Sequence, residues 1–62
     1  MKNYFKVTLH DGTPLYYKGL NIATVLYHLT TELYCPAIDI NAIRLIKRLP
    51  RGIVDYMVGE CD

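Results

Sequence analysis

Serine, glutamine and tryptophan are absent from the 62 residues, and phenylalanine occurs once. Without serine there is no serine nucleophile, so that branch of acyl-transfer chemistry is excluded. The two cysteines, Cys35 and Cys61, are too few for a disulfide framework, and a Cys35–Cys61 bridge is not expected in a reducing compartment. Cys35 stands before Pro36 at the end of an expected helix, where the dipole disfavours a thiolate. The four glycines, Gly12, Gly19, Gly52 and Gly59, are dispersed, so no glycine-rich phosphate loop exists.

Long apolar runs are missing too. The longest uncharged stretch, Gly19–Thr31, is interrupted by Asn21, His28 and threonines. It falls short of the ~20 apolar residues that span a bilayer. Met1-Lys2-Asn3-Tyr4-Phe5-Lys6 has no apolar core of the signal-peptide type, which sets the expectation of a cytoplasmic protein. The carboxylates Asp11, Glu32, Asp39, Asp55, Glu60 and Asp62 are scattered, leaving no pair for general acid–base work. His10, His28, Cys35 and Cys61 are the nitrogen and sulfur donors. His28 and Cys35 could share a helix face, but two ligands do not hold a structural zinc. Neither catalysis nor a cofactor is expected.

What is present is apolar. Hydrophobic residues make up 52% of the chain and charged ones 21%, with a net charge of +1. That excludes disorder and a bulk electrostatic binder alike. A single domain over 1–62 is expected, and a chain of this size buries only ~60% of its unfolded surface. Small scaffolds without staples often oligomerise, so a homodimer is expected.

Residues 4–9 alternate with period 2, Phe5, Val7 and Leu9 opposite Tyr4, Lys6 and Thr8, and predict a half-buried strand. A second strand covers Pro14–Lys18. A two-residue Asp11-Gly12 loop would mix the faces. A three-residue loop, His10-Asp11-Gly12 with Gly12 left-handed, pairs Val7 with Leu15 and Phe5 with Tyr17 and keeps apolar side chains together. Asn21 is placed to cap a helix on which Ile22, Val25, Leu26, Leu29 and Leu33 would cover the sheet, and Pro36 ends it. Ala42–Leu49 fits a strand, with Ile43, Leu45 and Leu49 on one face. It fits a helix almost as well, with Asp39 as cap. The strand is preferred because a lone hairpin is marginal. After a turn at Pro50-Arg51-Gly52, Ile53–Val58 reads as a fourth strand. The fold class expected is α+β: ββαβ or ββαββ, an antiparallel three- or four-stranded sheet with one helix packed on one face.

Two surface features remain. Ala23, Tyr27, Thr30 and Tyr34 form a second helical stripe beside the apolar one, and Tyr16 lies on the non-core side of its strand. Tyrosine is enriched at interfaces, so these five residues are candidates for dimer or partner contact. Arg44, Lys47, Arg48 and Arg51 gather four of the seven basic residues within eight positions. They could meet nucleic-acid phosphates, with Tyr4 and Tyr56 available for stacking. Charges on a sheet edge also block aggregation.

Tyr16-Tyr17-Lys18-Gly19-Leu20-Asn21, an amphipathic helix and Ile43-Arg44-Leu45 together resemble the small dimeric phage inhibitors of uracil-DNA glycosylase, over roughly residues 4–48. The resemblance implies a ββαβ chain, a dimer, and an apolar pocket offered to the enzyme's DNA-intercalating loop. With a two-residue gap after Leu20, Thr24-Val25-Leu26-Tyr27 falls on the family's helical segment, and Tyr27 matches one functional aromatic. The family's second aromatic, four positions earlier, falls on Ala23. The family is acidic, whereas this chain carries +1.

The resulting expectation is a small non-enzymatic protein-binding module, an inhibitor of a host enzyme encoded by a phage or other mobile element. Its partners would be a second copy and a host protein, in the host cytoplasm. The alternative is a small nucleic-acid-binding regulatory module that uses the basic Arg44–Arg51 segment.

Overall fold

The computed structural model describes residues 2–34 and 36–61. Strands β1 (Asn3–Leu9) and β2 (Pro14–Gly19) form a hairpin, and helix α1 (Ile22–Tyr27) runs on into a π-helical turn, His28–Glu32. A 3-10 turn at Ala37–Asp39 leads into β3 (Ile40–Ile46), and another at Asp55–Met57 precedes the short β4 (Gly59–Glu60). The sheet order is β3-β1-β2-β4. This is the expected small α+β fold, with one helix against one four-stranded sheet.

The hairpin register follows from its turn. Val7 faces Leu15 and Phe5 faces Tyr17, as the three-residue loop requires. Leu9 N–H donates to the Thr13 carbonyl at 3.0 Å, and Gly12 takes φ +91, a conformation open to glycine at little cost. Asp11 Oδ1 accepts from Thr13 N–H at 2.8 Å and holds the turn from outside.

β1 also pairs antiparallel with β3, Phe5 facing Leu45 and Val7 facing Ile43. The open choice between strand and helix for this segment is thereby resolved as a strand, though it spans Ile40–Ile46 rather than Ala42–Leu49. A bulge helps. Leu9 faces Ile40 while Thr8 faces Ala42, leaving Asn41 as the extra residue. This shift lets Ile40 and Ile43, three apart, both pack on the core.

The core holds Phe5, Val7, Tyr17, Val25, Leu29 and Cys61, all buried, with Leu9, Leu15, Ile40 and Ile43 packed against it. Full burial of each such aliphatic side chain contributes about 1.5–3 kcal/mol. Asn21 caps the helix as expected, its Oδ1 accepting from Thr24 N–H at 2.8 Å. The proposed apolar stripe is only partly used. Val25 and Leu29 are buried, but Ile22, Leu26 and Leu33 stand 38–51% exposed. The helix also stops sooner than Pro36 would require, at Leu33, whose N–H reaches back to the His28 carbonyl at 3.3 Å. Tyr34 follows at φ +54, a left-handed exit.

The expected fourth strand at Ile53–Val58 is corrected. Those residues form a loop and a 3-10 turn, and the strand is Gly59–Glu60, parallel to β2 rather than antiparallel. The sheet is therefore mixed. Since β3 and β2 both run antiparallel to β1, the path from β3 to the far edge is a parallel crossover, which needs about a dozen residues. Residues 47–58 are consumed in that passage, starting with the expected turn, where Ile53 N–H donates to the Pro50 carbonyl at 3.1 Å. On arrival, Gly59 meets the Tyr17 ring so closely that a Cβ there would collide with it. Cys61 N–H then donates to the Lys18 carbonyl at 2.8 Å. The Cys35–Cys61 bridge, not expected from the sequence, involves Cys35, which lies outside the described residues.

Candidate interaction surfaces

The sheet is wider than the helix that covers it. Tyr17, Phe5 and Leu45 form one cross-strand row on the helix side. The first two are buried, whereas Leu45 is 62% exposed. Beside it lie Leu20 and Ile22 at the start of α1, also about half exposed. With Asn3, Phe5, Asn21 and Ala23 these residues line an open groove of about 440 Å³ between α1 and β3. The strand pattern places Leu45 on the core face. Its exposure was not legible, because periodicity assigns a side chain to a face and says nothing of whether that face is covered.

The tyrosine stripe does not form as a unit. Ala23 and Tyr27 are both exposed on α1, Ala23 at the α1–β3 groove and Tyr27 bordering a cleft with Thr24, His28, Glu32 and Glu60. The π turn then adds a residue per turn and breaks the alignment. Thr30 swings under the preceding turn, its Oγ1 donating to the Leu26 carbonyl at 2.9 Å. Tyr34 lies beyond the helix and is 84% exposed. Tyr16 belongs to the opposite face of the sheet and borders a groove of about 410 Å³ along β2, which it shares with Pro14, Ile53, Met57 and Gly59 and with Leu15 and Tyr17 of the helix-side face.

That opposite face carries Tyr4, Lys6 and Thr8 from β1, Tyr16 and Lys18 from β2, and Ala42, Arg44 and Ile46 from β3. The crossover segment closes one end of it. Asp55 Oδ1 accepts from Tyr4 Oη at 2.8 Å, and Asp55 Oδ2 lies 3.4 Å from Lys18 Nζ. Lys18 Nζ in turn sits 5.5 Å from the centre of the Tyr4 ring. The Tyr4 hydrogen bond, then Lys18, holds the Asp55 carboxyl below its ordinary range, and the same bond pushes the Tyr4 phenol up. Lys2 Nζ at 2.9 Å likewise lowers Glu60.

Of the four basic candidates, Arg44 lies on this face, Lys47 and Arg48 follow at the end of β3, and Arg51 belongs to the turn before the crossover. All four are exposed, and no ion pair engages them among the described residues. The sequence had left Lys6 out. It sits directly opposite Arg44 in the ladder, a neighbour that only the strand pairing reveals. Among the described residues no three His, Cys, Asp or Glu side chains converge on a metal-sized site. Nor, among them, is any helix long and apolar enough to cross a membrane.

No protein-family model, curated protein or solved structure matches the chain.

Proposed function

We propose that this chain is a non-enzymatic protein-binding module that acts as a homodimer through the groove between α1 and β3. Leu45 carries the reading, an aliphatic side chain in a core row, left 62% exposed beside Leu20 and Ile22. The total exposed area agrees. A folded monomer of 7.1 kDa exposes about 4,100 Å², whereas this chain exposes 4574 Å². Its radius of gyration, 10.8 Å, is close to the about 10.6 Å of a compact chain. The surplus therefore reflects uncovered side chains rather than an extended shape. It amounts to about 500 Å², set against the about 800 Å² per partner that a stable interface buries. A second copy is the simplest occupant, because it would bury two such surfaces at once.

Sedimentation of the purified protein at micromolar concentration tests this. A dimer that Leu45→Asp converts to a folded monomer supports the reading, and a wild-type monomer removes it.

Inhibition of a host enzyme in the host cytoplasm is the form of partner binding that the resemblance to phage inhibitors suggests, with Tyr27 and Tyr34 as exposed anchors. Titrating the chain into a uracil-DNA glycosylase assay tests that target. Inhibition relieved by Tyr27→Ala supports it. Unchanged glycosylase activity removes the target and leaves self-association to be judged by sedimentation.

A further inference from the structure

Arg44, Lys6 and Tyr16 form one row across β3, β1 and β2, on the side of the sheet away from the helix. Like charges directly opposite on neighbouring strands are destabilising. Among the described residues nothing offsets this pair. Lys18 on the same face is neutralised by Asp55, and Lys2 by Glu60, but no carboxylate reaches Lys6 or Arg44 among the described residues. The row thus holds two adjacent cations without an anion. At its other end Tyr16 borders the 410 Å³ groove along β2, whose remaining walls are Pro14, Leu15, Tyr17, Ile53, Met57 and Gly59.

We propose that this row binds single-stranded nucleic acid, with a phosphate between Lys6 and Arg44 and a base against Tyr16. An anion relieves the repulsion across the ladder, and the aromatic and apolar groove beside it accepts a flat ring. A phosphate joined to a base supplies both parts in one ligand. The base must be unpaired, since stacking on a side chain needs a ring taken out of the duplex. Lys47 and Arg48, exposed where β3 ends, extend the positive charge and favour a strand over a free nucleotide. The site lies on the opposite side of the sheet from the α1–β3 groove, so it stands or falls independently of self-association.

The test is fluorescence anisotropy of labelled oligothymidylate, oligouridylate and a duplex of the same length, each at low and physiological salt. Preferential binding of the single strands is expected, with affinity falling as salt rises. Lys6→Ala and Arg44→Ala should each reduce the slope of log affinity against log salt, by about 0.7 at most for the one phosphate they share. Tyr16→Ala should weaken binding by between about 5- and 150-fold, the equilibrium equivalent of one stacked base. Thermal melting of each variant confirms that it is folded. Comparison of the two single strands shows whether DNA or RNA is the better ligand, and either supports the proposal. Absence of binding at low salt overturns it, as does preference for the duplex. Equal binding of poly-glutamate or heparin, unaffected by Tyr16→Ala, also overturns it and points to a general acidic partner.

Discussion

The phenol of Tyr4, in the first strand, donates a 2.8 Å hydrogen bond to the carboxylate of Asp55, 51 positions further along the chain. This contact ties the β3–β4 crossover to the open face of the sheet. Among the described residues one side-chain ion pair, Lys18 with Asp55, assists it. The crossover has few buried apolar contacts of its own, with Val54, Tyr56 and Met57 exposed. It is therefore the part of the fold expected to open first. In Tyr4→Phe, the backbone amides of 53–58 should lose protection from hydrogen exchange while those of β1 keep theirs. Uniform loss across both would show that the crossover and sheet unfold as one unit.

The same contact sets a pH dependence. Asp55 and Glu60 are held below the ordinary carboxylate range by their partners. The stabilisation they add is present at neutral pH and is lost as pH falls through their lowered folded-state values. Tyr4 is shifted the other way. Its contribution is present at neutral pH and disappears as pH rises through its elevated value, at the alkaline extreme. Urea midpoints measured against pH should fall at both extremes. Tyr4→Phe should flatten the acid limb, because the Tyr4 bond is the largest cause of the Asp55 shift. An acid limb unchanged in that variant would place the acid sensitivity elsewhere.

Helix positions of equal hydrophobicity should differ sharply. Leu29 is buried and Leu33 is half exposed. Leu29→Ala is expected to cost about 2–5 kcal/mol, a large share of the about 3–9 kcal/mol available to a chain this short. Leu33→Ala should change stability by about 0.5 kcal/mol or less. Denaturant titration at low protein concentration compares them. Equal losses would mean that the helix buries both.

Gly59 lies against the Tyr17 ring, with no room for a methyl group. Gly59→Ala should destabilise by about 1–3 kcal/mol through overpacking. Tyr17→Leu, which shortens the side chain there, should make the second substitution cheaper than in the wild-type background. Strict additivity in that double-mutant cycle would rule out ring contact as the cause.

At the helix start, Asn21→Ala removes the acceptor for Thr24 N–H and should cost about 1 kcal/mol. Asn21→Asp keeps the acceptor and should remain close to wild type. Thermal melts of both variants separate loss of the cap from loss of side-chain bulk.

The hairpin and the helix cap could be read directly from the chain. Both are local: alternation in Phe5-Lys6-Val7 sets the face, Gly12 supplies the turn, and Asn21 needs only Thr24 nearby. From residue 37 onward the information was no longer local. Ile43, Leu45 and Leu49 share a face at strand period and Ile43, Ile46 and Leu49 at helix period, and pairing with β1 made the segment a strand. Ile53–Val58 has strand composition, yet its residues are used to travel from one edge of the sheet to the other.

The scarcity of chemistry-bearing side chains and the surplus of apolar ones were likewise determined by sequence alone. Where the surplus would lie was decided by tertiary structure. A stripe of side chains can be counted along a helix, but its exposure depends on how wide the sheet beneath it is. A short helix over four strands leaves Leu45 uncovered on one face. Strand pairing sets Lys6 against Arg44 on the other. Neither relationship exists until residues about forty positions apart in the chain become neighbours in the ladder.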